Sequence, residues 1–484
     1  AIVFTDMGLD ISHCQISSNG VTDEVVIGQI QDVENMPTWP ATHGTMTVST
    51  GIGIGDGCGN TGGVHPGGEF LFVDLTNPQD HTEIEYSPDL FERFTVRGPG
   101  RPIRIHSASW GLVGTSGEYG IHSAIVDQHI YDEPGTLHVF AVGNDGPWSS
   151  ANQLSCAKSV VTVGALNRDG TIASYTSSGD LADGRTSPTV YALGTNDHAA
   201  ESFMYPPGSP GHTDTLIVTG TSFAAPYIAA LAQMEYERRR IHLGLQNIDE
   251  TLIRAYILGM DKRLTYPTSL STPPAGDLAR GIVLTNEKSW SRCFTAATKT
   301  TYTFTMAWAD PPGIIGAPKA LVNDYDLMII RISTGEMILG QDALHAFEKM
   351  TVEGLNGPYR VVAYPFHQRL ISGPLRFSIH ARGYGAPNED ARSSTCGSCF
   401  PGDVRTCSGG QIQQCLPTGQ FSSCMSCERG KLWDGNTCKC SNTVYVRDKD
   451  RFSRGCGEYS PQPFIKSGES TRNVHNLGPF AVLA

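Results

Sequence analysis

The chain has 484 residues, carries charged side chains at 17% of positions and has a formal net charge of −13. That length accommodates two to four domains, and the acidic balance argues against nucleic acid as a partner. No apolar run reaches the ~18 residues needed to span a bilayer.

Along the first half, short apolar runs alternate with helical stretches. The runs are Val3-Phe4, Phe70-Leu71-Phe72-Val73, Ile103-Arg104-Ile105, Val139-Phe140-Ala141-Val142 and Val160-Val161-Thr162-Val163. Buried strands separated by helices predict a parallel α/β sheet. Asp6 ends the first run, and His43-Gly44-Thr45 opens a helical segment. Asn144 follows the Val139–Val142 run and opens a Gly-rich loop. Gly220-Thr221-Ser222 leads into a helix with Ile228, Leu231 and Met234 on one face, and Pro226 is placed in its first turn. A helix over Glu250–Gly259 closes this part. Taken singly, each short motif is more often a turn or a helix cap than a catalytic element.

Together they form a chemical set. A serine hydroxyl is a weak nucleophile and needs a base within hydrogen-bond reach, and the base needs an orienting carboxylate. Ser222, His43 and Asp6 supply those three groups, in the chain order Asp, His, Ser. The Ser222 N–H and the Asn144 amide are candidates for the donors that hold the developing oxyanion.

These residues resemble the subtilisin-like serine proteases (subtilases), over roughly the first 285 residues. Ser107-Ala108-Ser109-Trp110-Gly111 resembles the family's extended segment that pairs with substrate backbone, with Ser109, Trp110 and Gly111 substrate-facing. The resemblance implies a serine endopeptidase acting on polypeptides, with no cofactor for catalysis. Two departures stand out. Met7 replaces the hydroxyl residue usual after the aspartate, which implies a less tightly held carboxylate. Met46-Thr47-Val48-Ser49-Thr50 replaces smaller, more apolar residues after His43. The resemblance also implies a segment before Ala1, either a bound propeptide or a missing N-terminal stretch. It implies a Cys14–Cys58 staple. Among the other histidines, His65, His106 and His122 read as structural, though His106 precedes the substrate segment.

From about residue 290 the apolar period falls to two, as in Thr301–Trp308, Leu327–Ile332 and Tyr359–Tyr364, which predicts a β-sandwich. It resembles the jelly roll that follows the protease domain in certain subtilases. Asp310, Asp324 and Asp326 are then either a structural calcium site or turn-capping carboxylates. From residue 386 the composition shifts again. Nine of the thirteen cysteines lie between Cys396 and Cys456. Such density points to disulfides ahead of zinc, and to an extracellular, secretory or cell-surface location. The segment weakly resembles EGF-like or furin-like modules.

The expected organisation is a peptidase domain over 1–285, a jelly-roll sandwich over 286–385, a Cys-rich module over 386–457 and a tail over 458–484. The expected fold is therefore α/β with a mainly parallel sheet, then an all-β sandwich and a small disulfide-rich module. The competing reading is a structural or adhesive protein that uses the fold as a scaffold and the Cys-rich module to bind an extracellular assembly partner. A peptide ligase or transferase would use the same triad.

Overall fold

The computed structural model describes residues 1–10, 13–16, 25–26, 43–55, 62–75, 90–91, 103–112, 117–147, 151–200, 215–246, 248–264, 276–284, 290–334, 336–340, 342–365 and 373–383. It also describes Ser423 and short strands between 404 and 454. Among these residues no helix is long and apolar enough to cross a membrane.

The elements of the first half are β1 (Ile2–Asp6), β2 (Val25–Val26), α1 (His43–Ile52), β3 (Phe70–Asp74), β4 (Ile105–Ala108), α2 (Ile121–Asp132), β5 (Leu137–Ala141) and β6 (Val161–Leu166). A small hairpin follows, β7 (Gly179–Asp180) with β8 (Thr186–Ser187), then β9 (Val190–Leu193) and the ribbon β10 (Thr195–Ala200) with β11 (Thr215–Thr219). Helices α3 (Thr221–Glu237) and α4 (Glu250–Gly259) and strand β12 (Arg263–Leu264) complete the set. The main sheet runs β12-β9-β6-β5-β4-β1-β3-β2, and all its pairings are parallel. Every residue of β1, β5 and β6 is buried. Layers on both faces explain why these strands read as continuous apolar runs. Helix α3 packs Ala224, Ile228 and Leu231 into the same core as Phe4, Val139 and Val163.

The second sheet contains β13 (Gly276–Leu284), β14 (Trp290–Ala309), β15 (Tyr325–Arg331), β16 (Met337–Leu339), β17 (Phe347–Pro365) and β18 (Leu375–Arg382). Its order is β13-β18-β14-β17-β15-β16, entirely antiparallel. Phe304, Met306, Trp308, Leu327, Ile329, Val361 and Phe377 fill its core. The period-two pattern becomes one six-stranded antiparallel sheet; the two-sheet sandwich expected for it is not seen among the described strands. The sheet begins at Gly276, before the boundary expected at 286.

Residues 1–394 form one compact unit and 395–484 another. Buried charge joins the two sheets within the first unit. Arg254 of α4 donates to four carbonyls, those of Lys158 (2.6 Å), Val160 (3.3 Å), Trp308 (3.1 Å) and Ala346 (3.1 Å). Lys158 donates to Asp127 at 2.7 Å and to the Pro311 carbonyl at 2.9 Å. Arg239 grips Asp277 of β13 at 2.9 Å, and His380 of β18 bonds the same carboxylate at 2.9 Å. Truncating one partner in such a set leaves buried polar groups unmatched, so the seam is fixed.

The second unit contributes three short antiparallel ribbons: Val404–Thr406 with Ile412–Gln414, Lys431–Trp433 with Cys438–Cys440, and Tyr445–Asp448 with Arg451–Arg454. Apart from Cys438 and Cys440, the clustered cysteines lie outside the described residues, as do Cys58 and the tail.

Candidate active site

Strands β1, β4 and β5 lie side by side, with Thr5 opposite Ala108 and Ala108 opposite Phe140. Asp6, Ser109 and the loop bearing Asn144 therefore leave the sheet at the same edge. The carboxyl edge of a parallel sheet is where loops open to ligands.

His43 is the first residue of α1, and Gly44 sets that helix against the end of β1. The Gly44 N–H donates to the Met7 carbonyl at 2.9 Å. A Cβ at Gly44 would overlap the Gly8 carbonyl and stand 2.6 Å from the Phe72 ring, so glycine permits this approach. His43 Nδ1 lies 2.6 Å from Asp6 Oδ1. An ionised carboxylate only accepts, so the Nδ1 proton donates. Asp6 is buried, while His43 keeps 29% of its side chain exposed. Burial by itself would lower the His43 pKa. The charge of Asp6 and its hydrogen bond outweigh burial, and the net shift is upward.

The remaining bonds to Asp6 come from Met7 and Thr47. The Met7 N–H donates to Oδ1 at 2.7 Å, and the Thr47 hydroxyl donates to Oδ2 at 3.0 Å. The carboxylate is therefore engaged at both oxygens despite the methionine. Thr47 was visible in the sequence only as a departure, although its place four residues after His43 puts both on one helix face.

Ser222 is the second residue of α3. Its hydroxyl donates to the Ser109 carbonyl at 3.1 Å, not to His43, and the Ser109 hydroxyl donates to the Ser222 carbonyl at 2.7 Å. Pro226 explains the second bond. It is the sixth residue of α3, not in the first turn as expected, and has no N–H to give the Ser222 carbonyl four residues earlier. The His43 ring lies beside Phe223, with centroids 6.1 Å apart. One side-chain torsion separates the Ser222 hydroxyl's bond to Ser109 from other directions.

Asn144 is exposed, and its Oδ1 accepts from both the Thr221 N–H and the Thr221 hydroxyl, each at 2.9 Å. These bonds fix which end of the amide is oxygen and leave Nδ2 open toward Gly220, where a Cβ would stand 3.7 Å from it. At the start of α3, the Thr221 N–H goes to Asn144 and the Phe223 N–H to the Gly220 carbonyl. Among the described residues the Ser222 N–H has no acceptor, as helix starts allow.

Ser109, Trp110 and Gly111 follow β4 directly. Gly111 is exposed, and a Cβ there would stand 2.5 Å from Asn152 Cγ. The Trp110 side chain is buried, donating its indole N–H to Thr5 Oγ1 at 3.0 Å, so it faces the core. His106 is also fully buried, 2.8 Å from Thr5 Oγ1 and 2.9 Å from His138 Nδ1. Its place in β4 makes it structural. Burial, with His129 nearby, pushes its pKa down to about 3.

Asp310, Asp324 and Asp326 are not brought together as a metal-holding group, and no such cluster occurs among the described residues. Asp310 accepts from the Val322 and Asn323 N–H groups at 2.9 and 2.8 Å and lies 3.6 Å from Lys158 Nζ. Asp324 pairs with Lys319 at 3.1 Å. For Asp310 the turn-capping alternative describes what its oxygens do.

The subtilase family model matches residues 2–264. The serine protease/ABC transporter B family protein tagD of Dictyostelium discoideum is 25% identical over 176 residues, covering 33% of this chain. The chain spans only 10% of that relative's length. Similar solved structures include the prenylagaramide maturation protease PagA, 21% identical over 51% of this chain and 77% of its own, with a TM-score of 0.38. Another is a cold adapted subtilisin-like serine proteinase, 15% identical over 49% of this chain and 75% of its own, with a TM-score of 0.35.

Proposed function

The chain belongs to the subtilase family of serine peptidases, and on that footing we propose that it is a serine endopeptidase acting through Asp6, His43 and Ser222. Ser222 Oγ attacks the peptide carbonyl while His43 Nε2 takes its proton. Asp6 holds the imidazole by Nδ1–H and stabilises the imidazolium. The oxyanion is received by the Ser222 N–H and Asn144 Nδ2, and His43 returns the proton to the leaving amine. Water then hydrolyses the acyl-enzyme by the same route. The backbone of Ser109, Trp110 and Gly111 lines the substrate. The observation that carries this reading is the 2.6 Å Asp6–His43 bond, set at the sheet edge where Ser222 and Asn144 also stand.

The cysteine density supports secretion or surface display, with the Cys-rich segment serving assembly. One observation favours the scaffold reading: the Ser222 hydroxyl is spent on Ser109. The test is fluorophosphonate labelling of the protein against Ser222→Ala. Labelling confined to Ser222 and lost in the variant supports the enzyme, with peptide hydrolysis falling at least about 10³-fold. Folded protein that never labels establishes the scaffold.

A further inference from the structure

The two departures from the subtilase pattern meet at one carboxylate. Asp6 and Thr47 are each 1% exposed. Asp6 Oδ1 has two donors, the Met7 N–H at 2.7 Å and His43 Nδ1 at 2.6 Å. Oδ2 has one, the Thr47 hydroxyl at 3.0 Å. That hydroxyl also lies 3.1 Å from the Gly44 carbonyl, but its single proton goes preferentially to the charged acceptor. His43 and Thr47 are one turn apart on α1, so a single rigid element presents a donor to each oxygen of one carboxylate. The χ2 torsion of an aspartate is broad and roughly two-fold. A carboxylate held at Oδ1 alone would swing about that torsion, and the imidazole would swing with it. Threonine's branched Cβ adds stiffness at χ1.

We propose that Thr47 is the positioning residue of this site, its hydroxyl clamping Asp6 Oδ2 so that the carboxylate holds His43 in one orientation. This rests on the triad reading above. It gives Thr47 a role of its own, because Met7 has no hydroxyl and offers the carboxylate its backbone N–H alone.

The test compares Thr47→Val, which keeps the shape and removes the donor, with Thr47→Ser, which keeps the donor. The readouts are the fluorophosphonate labelling rate, kcat and KM on a peptide substrate, and the downfield proton resonance of the Asp6–His43 bond. Loss of a hydrogen bond to a charged group corresponds to about 10- to 100-fold in rate. Thr47→Val is expected to lose that much in kcat with KM unchanged, and its downfield resonance should broaden or move upfield. Thr47→Ser should stay within about threefold of wild type and keep the resonance, as a retained donor predicts. If the valine variant does not fold, Thr47→Ala carries the same comparison. A valine variant with wild-type kcat and an unmoved resonance overturns the proposal, and so does a serine variant that falls as far as valine. The resonance is read without turnover. A wild type that shows it yet never labels refutes the enzyme reading while the clamp is still tested.

Discussion

Two polar clusters of the first unit are built on opposite principles. At the seam between the sheets, Lys158, Arg239 and Arg254 are buried, and their donors are matched to carboxylates and carbonyls. At the carboxyl edge of the parallel sheet, Asp6 is equally buried and matched. Its neighbours, however, keep groups uncommitted: His43 is partly exposed, Asn144 is exposed, and Asn144 Nδ2 and the Ser222 N–H have no acceptor among the described residues. A saturated cluster can only hold structure. A cluster with open donors facing solvent can receive a substrate's developing charge, because its groups are ordered before the charge appears.

The contrast can be broken at its strongest point first. His106 is neutral and fully buried, with its pKa depressed to about 3 from an ordinary 6.5. The unfolded chain binds a proton there that the folded chain refuses. Stability is therefore full above about pH 6.5 and falls as pH drops toward 3, by roughly 5 kcal/mol at the limit. Denaturant melts against pH check this, with His106→Asn expected to flatten the slope. His43 has the opposite sign. Its raised pKa makes the Asp6–His43 pair most stabilising below pH 6.5, and that contribution is lost as pH rises through the folded value. Catalysis needs the neutral base, so kcat/KM should decline on the acid side from a pKa above 6.5. As pH falls, activity is thus lost first, through His43, and stability follows below about pH 6.5, through His106.

Arg254→Met sharpens the comparison at the seam. It strands four buried carbonyls, of Lys158, Val160, Trp308 and Ala346, and should cost about 3–5 kcal/mol. The denaturation midpoint should fall while activity per folded molecule is retained. A loss below about 1 kcal/mol would mean that water replaces the guanidinium and that the seam is not saturated. Asn144→Ala should do the reverse. Losing the two bonds its amide accepts from Thr221 should cost only about 1 kcal/mol of stability, yet removing an oxyanion donor typically lowers kcat by about 10²–10³-fold with KM unchanged. Equal loss of stability and rate would put Asn144 with the seam instead.

Much of the site was legible in the chain because strand ends and helix starts advertise themselves locally. Asp6, His43, Asn144 and Ser222 each fall where an apolar run stops or a helix begins, and the structure puts each at that kind of place. The parallel and antiparallel sheets were legible for the same reason, from continuous runs in one half and period two in the other. Side-chain direction was not. Trp110 reads as substrate-facing in the sequence, and only its bond to Thr5 turns it inward. Asp310 reads equally as a calcium ligand or a turn-capping carboxylate until Lys158, 152 positions earlier in the chain, is found beside it.

The sequence by itself therefore determined which elements form and which chemical groups stand at their ends, because both depend on residues within a turn or two of each other. The tertiary structure decided which groups are spent and which remain open. Thr47 looks like a lapse from pattern along the chain, and becomes the second hand on Asp6 only when α1 lies against β1. Pro226 looks like a helix-start residue, and becomes the reason Ser109 is tied to Ser222 only when β4 reaches α3. Hydrogen-bond satisfaction is a property of space: a donor's partner is set by what packs against it, and sequence distance carries no record of that.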